Sequence, residues 1–420
     1  MPAPPRAPAR TPEYDLRVVS PGAPYADWVR ASQRAQAVQP FYAMEFAKRA
    51  QALEAQGRHV VKLNLGEPDF GAPPAVLSAL QKVADGRPLP YTGATGLLEL
   101  REAIAGFYRQ EHDVEVDPRR IIVTAGASAA LLLVSAALVD AGDKVLISDP
   151  SYPCNRQFAE SFGADVILVP TTPESRFQLD LPAVKKHWAD DTRGIMIATP
   201  SNPTGTSIET AELRDICDFA RSRDAWRIVD EIYLNLGTRD AAGRAPASVL
   251  SVDPDAFVIN SFSKYFGMTG WRLGWCVVPD EFVPVMERLA QNYYICSSTP
   301  AQFAALECFT PQSLQVAEDR REEFERRRAV VLAGLATAGL PVPVLPDGAF
   351  YVYFDVSGTG LSAWDFCERA LTEKHVALTP GKDFGPGGAD RYVRLSYSAS
   401  VAELEQGLSR LAEFTAALRL

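Results

Sequence analysis

Between residues 120 and 280 the chain repeats one pattern: a short β-branched run, then a longer polar or helix-compatible stretch. The runs are Ile121 to Thr124, Lys144 to Ser148, Val166 to Val169, Gly194 to Ala198, Trp226 to Val229, Phe257 to Asn260 and Leu273 to Val278. Strands that alternate with helices in this way predict an α/β fold: one seven-stranded, mostly parallel sheet covered by helices. Ala125 to Val139 is the longest apolar stretch. It contains Ser128 and Ser135 and stops at Asp140, which is too short for a membrane span and suits a buried helix.

Outside that region the rhythm changes. Pro40 to Gln56 is helix-compatible, and so is Val316 to Gly339, whose charge-dense EDRREEFERRR stretch predicts a solvated face. GAFYVYFDV and YVRLSYS read as strands, and Ser362 to Lys374 and Val401 to Leu418 as helices. The expected organisation is a mobile Pro-rich arm over 1–15, then a small α+β domain built from 16–70 and 313–420, flanking a large domain over 71–312.

Composition narrows the function. The 420 residues carry 42 Lys+Arg against 52 Asp+Glu, a net charge of −10, with 47% hydrophobic and 22% charged residues. That is the balance of an ordinary globular protein, and it argues against a sequence-independent grip on nucleic acid, which needs a basic face. Any anionic ligand must meet a local cluster of positive groups. The cysteines, Cys154, Cys217, Cys276, Cys296, Cys308 and Cys367, form no Cys-x-x-Cys pair, and the four histidines show no i, i+4 pairing. Neither a disulfide framework nor a metal site is indicated. With no secretory signal and no membrane span, the cytoplasm is the default location.

Candidate chemistry gathers where the predicted strands end. NSFSKYFGMTGWRLGW follows the strand ending at Asn260 and brings together Ser261, Ser263, Lys264 and Arg272. A lone lysine beside serines is usually a surface residue, but this one lies among aromatics and glycines at the sheet edge where α/β folds bind ligands. A desolvated lysine loses proton affinity and serves as an amine nucleophile. ATPSNPTGT, carrying Asn202, and IVDEIY, carrying Asp230 and Tyr233, end two other strands; taken singly they read as a turn and a helix cap. A carboxylate facing a heteroaromatic nitrogen keeps that nitrogen protonated, and Asp230 suits the role. In IIVTAGASAALLLVSAALVD, Gly126, Ala127 and Ser128 stand at a helix N-terminus, an anion site when joined by Ser261 and Arg272. DPSYP places Tyr152 after another strand, where its ring can stack on a planar group or simply pack.

SNPTGT, VDEIY, SFSKYFGMTGWRLGW and YVRLSYS, with LNLGEPDF and YTGATGLLELREAI upstream, closely resemble the class I/II aminotransferases, fold-type I enzymes that use pyridoxal 5′-phosphate. The resemblance runs from about Gln39 to the C-terminus with motif order preserved. It implies transfer of an amino group from an L-amino acid to a 2-oxo acid by a ping-pong Schiff-base mechanism. By resemblance, Lys264 carries the cofactor and moves the α-proton, Asp230 partners the ring nitrogen, and Tyr233 and Asn202 hold the ring oxygen. Tyr152 stacks on the ring. Ala127, Ser128, Ser261, Ser263 and Arg272 surround the phosphate, with Tyr91 expected from the second subunit of a homodimer. Arg394 clamps the substrate carboxylate, helped by Asn202 and the backbone at Gly66.

Substrate choice is less legible. Ser128 stands where a basic residue would serve a distal carboxylate, and QNYYICSSTP contains no Lys or Arg, which disfavours a dedicated aspartate enzyme. Phe41, Tyr42, Phe350 and Tyr351 are candidates for an apolar side-chain pocket, or equally for the core. A lyase on the same scaffold is the alternative, since fold and cofactor do not dictate which bond to the α-carbon breaks. A DNA-binding regulator built on this fold is disfavoured because the short N-terminal arm leaves no room for the extra module.

Overall fold

The computed structural model describes residues 30–418, so the predicted arm over 1–15 lies outside the described residues. Residues 30–39 hold one short helix, Gln33–Ala37, whose Ser32 cap accepts the Ala35 N–H at 3.1 Å. From Pro40 onward the strands are β1 (Val61–Lys62), β2 (Ile121–Thr124), β3 (Lys144–Asp149), β4 (Asp165–Pro170), β5 (Thr192–Ala198), β6 (Trp226–Asp230), β7 (Phe257–Ser261), β8 (Gly274–Val277), β9 (Tyr351–Asp355), β10 (Val376–Ala377), β11 (Thr379–Pro380) and β12 (Tyr392–Ser396).

Seven of these, β2 to β8, are the seven predicted strands, and they form one sheet in the order β2-β8-β7-β6-β5-β3-β4. All pairings are parallel except those of β8, which is antiparallel to both neighbours. Successive residues point to opposite faces, as the strand pleat requires. Val145 and Ile147 pack in one apolar cluster with helix Ala127–Leu138, while Leu146, Ile195 and Val229 face the other. Both faces are therefore covered, which is why these strands read as continuous apolar runs. From β3 the chain moves out to β4 and returns to β3's other side as β5. Such a reversal of strand order opens a crevice at the carboxyl ends of the strands.

The remaining strands make two small sheets. β12 lies between β11 and β9, antiparallel to both, and β1 pairs in parallel with β10 through Val61↔Val376. Helices Ala363–Lys374 and Val401–Leu418 occupy their predicted positions, and helix Tyr42–Ala55 fills the Pro40 to Gln56 segment.

The charged helix departs from expectation. It runs from Pro311 to Thr337, starting earlier because Thr310 caps it, and EDRREEFERRR is not a wholly solvated face. Arg321 and Arg327 are buried. Arg327 pairs with Glu323 and Asp69 and donates to the Ser398 carbonyl, and its guanidinium lies 4.8 Å from the Phe70 ring. Local charge density cannot reveal this, because the stems of arginines bury readily once their heads find partners. No helix among the described residues is long and apolar enough to cross a membrane.

One buried ion pair braces the loop between β6 and β7. Arg227 donates Nε to Asp253 Oδ2 at 2.7 Å and Nη2 to Oδ1 at 2.8 Å, while Arg221 reaches Oδ1 from the adjoining helix at 2.8 Å. Burial by itself raises the Asp253 carboxyl, but the two guanidinium groups override it and hold the group below its ordinary value. Asp253→Ala should lower unfolding free energy by about 3–5 kcal/mol, measured by denaturant titration, because it strands a buried guanidinium. A carboxylate with a depressed pKa stabilises above its unfolded value, and that contribution is lost as pH falls through the folded one. The gap between wild type and variant should therefore be full at neutral pH and shrink in acid.

Candidate active site

The ends of five strands supply the chemistry. β2 leads through Gly126 into helix Ala127–Leu138, β3 leads to Tyr152, β5 to Asn202, and β6 ends on Asp230 with Tyr233 beyond it. β7 ends on Ser261 and continues through Ser263 to Lys264. From the other side, Arg394 projects from the middle of β12. One cavity is lined by Gly66, Ala127, Ser128, Tyr152, Asn202, Asp230, Tyr233, Ser261, Ser263, Lys264, Arg272 and Arg394, so twelve of the thirteen predicted site residues meet there. Tyr91 does not. It is 76% exposed and lines a separate apolar groove with Leu89, Leu97 and Phe303.

Among the charged groups that line the cavity, Lys264, Asp230 and Arg394 are largely withdrawn from water. Burial pushes the Lys264 amine down to about 8; the charges of Arg394 and Arg272 push the same way, while Glu67 and Asp230 oppose. Its Nζ donates to the Gly66 carbonyl at 2.6 Å and lies 5.7 Å from the ring centroids of Tyr233 and Phe350. Burial raises the Asp230 carboxyl to about 7, against the opposing effects of the Ile232 N–H and the Lys264 charge. Its single hydrogen bond, from that N–H, is long at 3.2 Å. A carboxylate so poorly solvated calls for a cation or donor from a ligand.

Arg394 is 2% exposed, and no carboxylate of a described residue lies within ion-pair distance of it. Its Nη1 donates to Asn202 Oδ1 at 2.8 Å, its Nη2 to the Asn64 carbonyl at 2.5 Å and to Thr379 Oγ1 at 3.3 Å. Nε has no partner. The guanidinium is held 4.6 Å from the Tyr351 ring centroid and 5.0 Å from that of Phe384. Neutral acceptors and ring faces orient this buried cation without a carboxylate in contact, a setting that suits binding of an anion.

At the opposite end, helix Ala127–Leu138 begins without a side-chain cap, so its first N–H groups and dipole face the cavity. Arg272 takes a left-handed backbone, φ 50°, and donates Nη1 to the Thr269 carbonyl at 2.9 Å. Gly126, φ 86°, is required here twice over: its backbone is left-handed, and a Cβ on it would collide with the Arg272 guanidinium. The Ser261 hydroxyl bonds Ser263 Oγ at 2.9 Å, completing a set of neutral donors around one guanidinium. Helix terminus, hydroxyls and arginine together suit a phosphate, and Asp230 suits a protonated ring nitrogen, so the residues present fit pyridoxal 5′-phosphate.

Of the four side-chain candidates, Phe41 and Tyr351 line the cavity. Tyr42 instead packs edge-on against Trp364 at 5.2 Å, and Phe350 is fully buried against Tyr233 and Phe324. Tyr351 is more than a liner, since its hydroxyl bonds that of Tyr233 at 2.8 Å. Sequence reasoning missed Met44, Glu67, Asn64, Thr379 and Phe384. Asn64 and Glu67 stood within the recognised LNLGEPDF motif, whereas Met44, Thr379 and Phe384 lie in no motif and are brought to the site by packing.

Comparison with known proteins agrees with this geometry. A family model described as aminotransferase class I and II matches residues 58–411. The valine–pyruvate aminotransferase of Mycobacterium tuberculosis is 36% identical over 376 residues, 89% of this chain and 96% of that protein. A crystal structure of an aminotransferase from Mycobacterium tuberculosis is similar with a TM-score of 0.88 at 34% identity, over 93% of this chain and 100% of that one. The aspartate aminotransferase of Thermus thermophilus, solved with maleate, gives a TM-score of 0.85 at 34% identity, over 92% of this chain and 99% of that one. A match of this extent, joined to a desolvated lysine, a buried carboxylate and an unneutralised arginine in one cavity, identifies the chain: it belongs to the class I and II aminotransferases, pyridoxal 5′-phosphate-dependent enzymes that move an amino group between an amino acid and a 2-oxo acid.

Proposed function

We propose a division of labour among the cavity residues, carried chiefly by one observation: the buried, unneutralised Arg394 faces the same cavity as the desolvated amine of Lys264. Bound there, pyridoxal phosphate supplies an aldehyde that condenses with amines and a ring that withdraws electrons from the substrate α-carbon. Lys264 holds the cofactor through its amine and, once released by substrate, takes the α-proton and returns it to the former aldehyde carbon. Asp230 keeps a proton on the ring nitrogen. Tyr233 and Asn202 donate to the ring oxygen, and Tyr152 stacks on the ring. Ala127, Ser128, Ser261, Ser263 and Arg272 bind the phosphate. Arg394 grips the substrate α-carboxylate in a bidentate pair, with Asn202 and the Gly66 backbone beside it.

The working assembly we propose is a cytoplasmic homodimer in which Tyr91 enters the partner's cavity at the phosphate. Its outward position among Leu89, Leu97 and Phe303, and the six free thiols, support this reading. From Pro40 onward, we divide the chain into a large cofactor domain over 71–312 and a small domain from 40–70 and 313–420, residues 16–29 of the expected small domain lying outside the described residues. The parallel pairing of β1 with β10 supports drawing the two ends together.

Lys264→Ala should abolish both turnover and the near-visible absorbance of the lysine-bound cofactor; an unchanged spectrum would contradict its assignment. Only the unprotonated amine attacks an aldehyde, so reconstitution of the apoenzyme should quicken as pH rises towards about 8 and level off above it, followed by stopped-flow absorbance. Arg394→Ala should weaken amino acid binding by about 2–5 kcal/mol, read as a raised KM, with cofactor retention little changed. Sedimentation equilibrium of the holoenzyme should return the mass of two chains, and Tyr91→Phe should loosen cofactor binding.

A further inference from the structure

Among the described residues of this chain, Lys264, Arg272 and Arg394 are the cations that line the cavity. Each of these three has a task at the amine, the phosphate or the α-carboxylate, so none remains for a distal charge. Glu67 is the one lining acid besides Asp230; it is exposed and has no ion-pair partner among the described residues. From this chain's described residues, a second substrate carboxylate would meet an acid and no further base.

Phe41 and Met44, at the start of helix Tyr42–Ala55, line the same cavity. The Phe41 ring meets Tyr152 edge to face at 5.9 Å. This helix has no side-chain cap from its own N-cap residue. Its first N–H groups are taken instead by a distant acid, the buried Asp383, whose carboxylate oxygens accept from Tyr42 at 2.9 Å and Ala43 at 3.1 Å. Asn64 adds a bond to the Ala43 carbonyl at 2.9 Å, and the Asn64 carbonyl in turn accepts from Arg394. The residue next to Asp383 is Phe384, whose ring lies against the Arg394 guanidinium. One dipeptide therefore anchors both the apolar segment and the carboxylate clamp, and sets the distance between them.

We propose that Phe41 and Met44 form the wall that selects the substrate side chain, that Asp383 positions this wall relative to Arg394, and that the preferred donors are monocarboxylic amino acids with apolar side chains. The proposal rests on the transamination reading above and adds the substrate class to it. An apolar side chain replaces water against Phe41 and Met44, whereas a carboxylate placed there loses its hydration without gaining a partner.

The test uses holoenzyme and single half-reactions, followed by the loss of cofactor absorbance when an amino acid is added without an acceptor. L-leucine or L-phenylalanine should exceed L-aspartate and L-glutamate in kcat/KM by about 100-fold. Calorimetry should show 3-phenylpropanoate binding more tightly than maleate. Phe41→Ala and Asp383→Ala should lower the ratio of kcat/KM for L-leucine over L-alanine, chiefly through KM, and Asp383→Asn, which keeps one acceptor, should recover part of it. A merely structural role would depress both amino acids alike and leave the ratio constant, which overturns the proposal. Preference for L-aspartate, L-glutamate or L-lysine also overturns it while leaving transamination intact. Failure of every amino acid to change the spectrum overturns the transamination reading itself, and this proposal with it.

Discussion

Removing charge from water inside an acidic protein is the constraint on which the site depends. Lys264, Asp230 and Arg394 all lose hydration in one cavity, and each responds differently. The lysine gives up proton affinity, the carboxylate gains it, and the guanidinium is held by neutral acceptors and ring faces.

The sheet makes this arrangement possible. Strands β5, β6 and β7 are adjacent and parallel, so Asn202, Asp230 and Lys264 emerge along one edge. Helix Ala127–Leu138 starts just after Gly126, whose positive φ of 86° favours glycine and whose backbone lies beside the Arg272 guanidinium. Arg394 comes from a different sheet, and its grip depends on Asn64, Thr379 and Asn202, three residues far apart in the chain. The clamp is thus a product of tertiary structure, whereas the cofactor edge is nearly a product of strand order.

Rings and acids around the clamp serve orientation more than stability. Tyr351 and Phe384 flank the guanidinium, and the Tyr233–Tyr351 hydroxyl pair holds one of those rings in place. Asp383 caps a helix belonging to a remote part of the chain, so the apolar wall and the carboxylate grip share one support. Selectivity on this scaffold then follows from a few side chains on that helix, with the catalytic edge untouched.

The sheet and the cofactor edge were legible from sequence because their signals are local: β-branched runs buried on both faces, and polar residues at strand ends. The anion-binding helix start was legible for the same reason, since a small-residue turn before an apolar run marks a helix N-terminus wherever it falls. Other features depended on packing. Arg321 and Arg327 looked solvated because nothing local distinguishes a buried arginine from an exposed one in a run of charge. Among Phe41, Tyr42, Phe350 and Tyr351, identity alone could not separate two cavity residues from two that pack elsewhere. Asp383, 340 residues from the N–H group it caps at Ala43, had no sequence signal. Sequence by itself determined the family, the sheet and the residues at its edge, because strand periodicity and motif chemistry act over a few residues. Only the tertiary structure decided what holds Arg394 and which side chains line the cavity with it, because contacts such as those to Asn64 and Asn202 join segments far apart in the chain.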